Sequence, residues 1–80
     1  MASFFLIQTD PGYADAVADV VASLPGVVNV AVTTGPYDVV AEVTAVREHQ
    51  DQIRAEVRRA PGLCRLCVCQ GSRAERRAAS

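Results

Sequence analysis

Apolar and polar positions along the chain change period five times, and each change marks a new element. Phe4–Thr9 opens with four consecutive apolar residues, which predicts a strand buried on both faces. Asp10-Pro11 then reads as a helix start. Asp accepts from early backbone N–H groups, and Pro in the first turn gives up no bond it needs. Val17, Val20, Val21 and Leu24 form an i, i+3, i+4, i+7 stripe, which predicts a helix to about Leu24 with Asp15 and Asp19 in water. Val27–Thr33 and Asp38–Val43 alternate as strands around the turn Thr34-Gly35-Pro36-Tyr37. A second helix follows, capped by Thr44, with Val46, Gln50, Ile53, Val57 and Ala60 facing inward. Leu63–Cys69 closes the series as a strand, and residues 71–80 form a polar, Arg-rich tail.

The two halves repeat each other. Leu24-Pro25-Gly26-Val27 returns as Ala60-Pro61-Gly62-Leu63, a step of 36 residues from position 25 to position 61. That step is the length of one βαβ unit. Two units give β-α-β-β-α-β, an α+β ferredoxin-like sandwich with a four-stranded antiparallel sheet, occupying residues 1–70 as one domain.

Two helices cover only one face of such a sheet, and the other face of a monomer should be polar. Here the strands are too apolar for that. With Val28, Val30 and Val32 turned to the helices, Val27, Ala31, Val40 and half of Phe4–Ile7 face away. From the last strand either Cys64, Leu66 and Val68 or Leu63, Cys67 and Cys69 join them. A patch of this kind suits a second copy of the chain, packed face to face.

Composition narrows the partners. Half of the 80 residues are hydrophobic, generous for so small a domain, and the formal net charge is −1. Neither nucleic acid nor an anionic membrane is attracted by such a balance. No run is long enough to span a bilayer, and the N-terminus carries no basic leader, so a soluble cytoplasmic protein is expected. Three cysteines in one strand, Cys64, Cys67 and Cys69, do not make a disulfide framework. No second Cys-x-x-Cys completes a four-ligand metal site. They read as small core residues, with a redox pair at 67 and 69 the lesser reading. No metal and no cofactor are expected.

The order of these words resembles the effector-binding domain of the leucine-responsive and asparagine-responsive regulators, the Lrp/AsnC family. The resemblance rests on Leu24-Pro25-Gly26-Val27, Thr34-Gly35, Tyr37-Asp38 and Ala60-Pro61-Gly62-Leu63, and covers about Phe4 to Gln70. It implies a dimeric α+β barrel, further assembly of dimers into rings, and small effectors, usually amino acids, held between dimers. Full regulators carry an N-terminal helix-turn-helix. With a strand beginning at residue 4, the resemblance implies a stand-alone effector domain that does not bind DNA itself. It would act through a partner, possible partners including full-length regulators of the same family. The ligand-contacting stretch falls on Thr34, Gly35, Pro36, Tyr37 and Asp38, with Cys69 and Gln70 added from the end of the last strand.

The residues of that turn make a chemical case of their own. Gly35 permits a positive φ and close approach of a ligand. Its neighbouring N–H groups suit a carboxylate, and Asp38 suits an ammonium, which together match an amino acid zwitterion. The same four residues also make an ordinary hairpin turn. Catalysis is not expected. His49, the one histidine, reads as a solvent-facing helix residue. A small oxygenase-like enzyme of the dimeric α+β barrel type remains an alternative if His49 points into a cavity. An ACT-like amino-acid-binding domain is a second alternative, although the conspicuous glycine lies in the turn between the second and third strands rather than in Thr9-Asp10-Pro11-Gly12. Arg73, Arg76 and Arg77 read as a solubilising end or a weak dock for an acidic partner.

Overall fold

The computed structural model describes residues 3–70. Met1, Ala2 and the tail at 71–80, with Arg73, Arg76 and Arg77, lie outside the described residues. The elements are β1 (Ser3–Thr9), α1 (Ala14–Ala22), β2 (Val27–Val32), β3 (Val39–Val43), α2 (Arg47–Arg58) and β4 (Leu63–Gln70). The four strands form one antiparallel sheet in the order β2-β3-β1-β4. This is the ferredoxin-like α+β sandwich that the repeat predicts. Phe5 and Ile7 of β1 and Val39, Ala41 and Val43 of β3 meet Val17 and Val21 of α1 and Ile53 and Val57 of α2 in one buried cluster.

The alternation in β1 divides its side chains between two faces. Phe5 and Ile7 are fully buried under the helices, whereas Phe4 and Leu6 are half-buried on the open face. β4 takes its register from β1. Ile7 pairs with Leu66 and Phe5 with Val68, so these two face the helices. Leu6 pairs with Cys67 and Phe4 with Cys69, which puts both cysteines on the open face. The core reading of the cysteines is therefore corrected: Cys64 and Cys69 are exposed and Cys67 is half-buried.

β2 departs from its expected alternation. A register shift between Val27 and Asn29 places Val27 opposite Val43, and Asn29 opposite Glu42. Val27 thereby packs against the core, and Val28, expected inside, is 51% exposed. A bulge inserts one residue and reverses every side chain beyond it. Val30 stays on the helix side opposite Ala41, while Val32, opposite Val39 at the end of the edge strand, is also left exposed.

The helix starts are shorter than the pattern predicts. Gly12 has φ +86°, which no α-helix accommodates, so Asp10–Gly12 forms a turn and α1 begins at Ala14. Asp10 contributes through its backbone, accepting from Tyr13 N at 3.1 Å. Ala18 is buried in α1 in place of Val20. Thr44 does not cap α2. Val46 holds the cap position in an extended conformation and is 69% exposed, and Ala45 packs on the core in its stead. Gln50 is satisfied inside: Ser3 Oγ donates to its Oε1 at 2.9 Å, and its Nε2 donates to Ala45 O at 2.8 Å.

The internal repeat is a physical duplication. Val27 N donates to Leu24 O, and Leu63 N donates to Ala60 O, each at 3.2 Å. Both close a Pro-Gly turn whose glycine has positive φ, +94° at Gly26 and +88° at Gly62. Each turn is then gripped by the opposite half. Asp10 N donates to Gly62 O at 2.8 Å, and Thr44 N donates to Gly26 O at 2.9 Å. A ring lies over each glycine: Tyr13 over Gly62 and His49 over Gly26. Tyr13 and His49 are separated by the same 36-residue step as the two glycines, from 13 to 49.

Substituting either glycine tests this clasp. Both pay for positive φ, about 1–2 kcal/mol. A Cβ on Gly26 would meet Ile53 Cδ1 at 3.0 Å and His49 Cδ2 at 3.1 Å, flexible ends that can yield. On Gly62 it would overlap Tyr13 from Cβ outward, which moves the Tyr13 backbone. Urea denaturation should therefore show Gly62→Ala losing about 2–4 kcal/mol and Gly26→Ala about 1–2 kcal/mol. The reverse order would contradict the packing.

Candidate functional site

Across the open face the strand registers build three rows. The first is Asn29, Glu42, Phe4 and Cys69; the second is Ala31, Val40, Leu6 and Cys67. Gln8 and Arg65 belong to the third, beside Asp38 and Thr33. The second row is wholly apolar. In the first, Asn29 Nδ2 donates to Glu42 Oε1 at 2.9 Å. The third row is polar and leads into the turn.

That turn is fixed from its base. Thr33 N donates to Asp38 O at 2.8 Å, and Thr33 Oγ1 donates to Tyr37 O at 2.8 Å. Asp38 N donates to Ile7 O, and Thr9 N donates to Asp38 Oδ2, each at 2.8 Å. Gln8 Nε2 reaches across and donates to Pro36 O at 2.6 Å. The end of β1 therefore holds both sides of the turn. Thr34, Gly35 and Pro36 are exposed at its tip, and Tyr37 and Asp38 are half-buried at its base. Gly35 has φ +122°, and nothing lies within 4 Å of where its Cβ would stand. Space above the backbone is free for a ligand, but a single chain supplies only one wall.

Five of the seven candidate residues, Thr34 to Asp38, thus stand together. Cys69 and Gln70 stand apart from them. Gln70 pairs with Ser3 and Cys69 with Phe4, at the opposite end of β1 from Gln8. Four residues of strand separate the two ends, about 14 Å. In one chain they cannot touch the same small molecule; two subunits would have to bring them together. Gln8 and Thr9 are the residues that sequence reasoning missed. The available signal was Gln8, a polar side chain following an apolar run on the side that faces away from the helices.

His49 lies elsewhere. Its Nε2 donates to Pro25 O at 2.9 Å, since that carbonyl can only accept. It borders a depression of about 380 Å³ with Leu24, Pro25, Ile53 and Glu56, between α2 and the turn after α1. The ring is engaged as one half of the clasp, on the helix side of the molecule. The loop after β1 is engaged likewise, by Gly62. Among the described residues no group of three or more His, Cys, Asp or Glu could hold a metal ion. No described helix is long and apolar enough to cross a membrane.

With this geometry established, comparison with known proteins gives one family. The model of the Lrp/AsnC ligand binding domain matches residues 2–66. Among solved structures, TTHA0845 from Thermus thermophilus is 32% identical, covers 95% of this chain and 98% of its own, and superposes with a TM-score of 0.79. E. coli AsnC is 15% identical with a TM-score of 0.71; the alignment covers 96% of this chain and 55% of AsnC. A transcriptional regulatory protein of the AsnC family from Pyrococcus furiosus is 21% identical with a TM-score of 0.63, over 92% of this chain and 53% of that one. The last two likenesses speak for the fold alone. No curated protein matches.

The hydrogen bond from Thr9 N gives Asp38 a structural load that the sequence did not disclose. Removing an acceptor that is charged and half-buried costs about 1.5–3 kcal/mol. Asp38→Ala should lose that much stability in urea denaturation. Asp38→Asn keeps an acceptor oxygen for Thr9 N and should lose less than half of it. Equal losses would place the effect in the charge rather than in the bond.

Proposed function

The chain belongs to the Lrp/AsnC ligand-binding domain family, and from that premise we propose that it is a non-catalytic cytoplasmic module that senses a small zwitterion, an amino acid, at the Thr34–Asp38 turn. The family makes it a regulatory, effector-binding domain. The effector class and the site are our reading. What carries the site is the pinned turn itself. Gln8 and Thr9 hold it from below, so its tip is preorganised while Gly35 stays open to solvent. A rigid exposed turn loses little entropy when it binds. Asp38 Oδ2 is engaged by Thr9, and its other oxygen is available to an ammonium group.

The second wall comes from another copy of the chain. Ala31, Val40, Leu6 and Cys67 form an apolar band across the open face, with polar rows on either side. Face-to-face packing buries the band and leaves the Gln8–Asp38 row at the rim, where a further dimer can close over the turn. Cys69 and Gln70 of one subunit could approach the turn of another only in such an assembly. The domain acts on its target through assembly or through a full-length regulator of the same family.

Calorimetric titration with whichever of the twenty amino acids first raises the melting temperature tests the site. Asp38→Asn should weaken binding by about ten- to a hundred-fold, the worth of one charge-assisted bond, with the fold retained. Gly35→Val should abolish binding, because a β-branched residue resists φ > 0. Unchanged affinity in both variants would move the site elsewhere.

Assembly has its own test. Light scattering after size exclusion should give an even number of subunits at micromolar concentration. Leu6→Asp, in the middle of the apolar band, should shift the protein toward the 8.5 kDa monomer. A wild-type monomer would refute the face-to-face dimer.

A further inference from the structure

We propose that Arg65 holds the carboxylate of the effector, so that the ligand lies across the end of β1 with its ammonium at Asp38 and its carboxylate over β4. The inference rests on the effector reading above and gives the anionic end of the ligand a side-chain partner. Arg65 is the one basic residue in the four strands. It pairs with Gln8, which puts it on the open face in the row of Asp38. Arg65 is exposed, and the one ion pair among the described residues joins Arg59 to Glu56.

The row sets opposite charges on either side of a gap. β1 runs between Asp38, at the start of β3, and Arg65 on β4, so their backbones stand two strand spacings apart, about 9.6 Å. They make no direct ion pair. Gln8 stands between them, but its Nε2 donates to Pro36 O at 2.6 Å, which takes the amide away from β4. Asp38 leans over the end of β1, because its Oδ2 accepts from Thr9 N at 2.8 Å. The carboxylate is thereby brought toward Arg65 without meeting it.

Arginine suits the far end of this gap. Its planar guanidinium takes a carboxylate through two parallel N–H···O bonds. Its long stem closes what remains of the distance. An α-amino acid carries ammonium and carboxylate on one carbon, so one small molecule answers both ends of the row. Glu42, the one acidic residue in the strands, does not compete: it lies in the first row and accepts from Asn29. The third row also lies at the rim, which the proposed face-to-face packing leaves uncovered. Such a site separates a free amino acid from its neutral amide by the charge that Arg65 meets.

Calorimetric titration of the full 80-residue chain tests this with two probes: the amino acid that most raises the melting temperature, and the carboxamide of that amino acid. The wild type should prefer the acid by about ten- to a hundred-fold, the worth of one charge-assisted contact. Arg65→Gln should lose that factor for the acid and keep its affinity for the amide. Arg54→Gln removes the same charge from an exposed position on α2 and should bind both as the wild type does. Light scattering should give every variant the wild-type subunit number. The proposal fails if Arg65→Gln keeps the preference, loses both ligands alike or changes the subunit number, or if Arg54→Gln also loses the preference. If Asp38→Asn weakens the acid and Arg65→Gln does not, the effector site stands and this assignment falls. If neither weakens it, or no amino acid binds, the effector reading falls and takes the assignment with it.

Discussion

The sheet interleaves the two halves of this fold, every strand pair joining one to the other, and two glycines in turns tie them again at the ends of the helices. Each closes a Pro-Gly turn with a positive φ, and each offers a bare backbone on which the other half lays a ring and an N–H donor. Gly62 receives Tyr13 and the Asp10 amide; Gly26 receives His49 and the Thr44 amide. A Cβ has no place at Gly62 and little at Gly26. The turns follow the helices directly, so gripping them fixes where α1 and α2 end above the sheet. In a domain this small the core alone is marginal.

The duplication explains why so much of the fold was legible. The Pro-Gly step of 36 residues announced two equal units, and six elements in the right order followed. Failures came where a local rule was overruled by pairing. The Val27/Asn29 bulge is silent in a run of valines: Val27 and Val28 are the same residue, and only the partner strand decides which is buried. Gly12 broke a plausible helix start because its φ is positive, something Asp-Pro does not reveal. Cys67 and Cys69 suited the core by residue type. Their side was settled by Leu6 and Phe4 of a strand some sixty residues earlier in the chain.

The turn was legible as a hairpin tip and not in the bonds that pin it. Thr-Gly-Pro-Tyr-Asp marks a hairpin tip with one permissive residue and one carboxylate. It does not say that the carboxylate is already half spent. Asp38 accepts from Thr9 N, and Pro36 O accepts from Gln8, so the first strand sets the shape of a turn between the second and third. Bonds that span 28 and 29 residues leave no periodic trace. The consequence is chemical. A carboxylate that accepts a backbone N–H keeps one oxygen pointed and one available, which is better prepared for an ammonium than a freely rotating side chain.

The two sides of the sheet differ in what they expose. Beneath the helices no buried side-chain polar atom among the described residues lacks a partner; Ser3 donates to Gln50, and Gln50 donates to Ala45 O. The clasp occupies the loop after β1 and the start of α2. On the other side Ala31, Val40, Leu6 and Cys67 form a band, with charged and amide groups above and below it. An apolar band across the middle favours association, and polar rows at the ends define its register. In the proposed dimer the groups at the ends would meet their counterparts only when a second copy arrives. Under the proposed face-to-face packing the state of assembly and the state of the proposed site would be one variable, so an occupant at the end of the sheet would also bias how the chains associate.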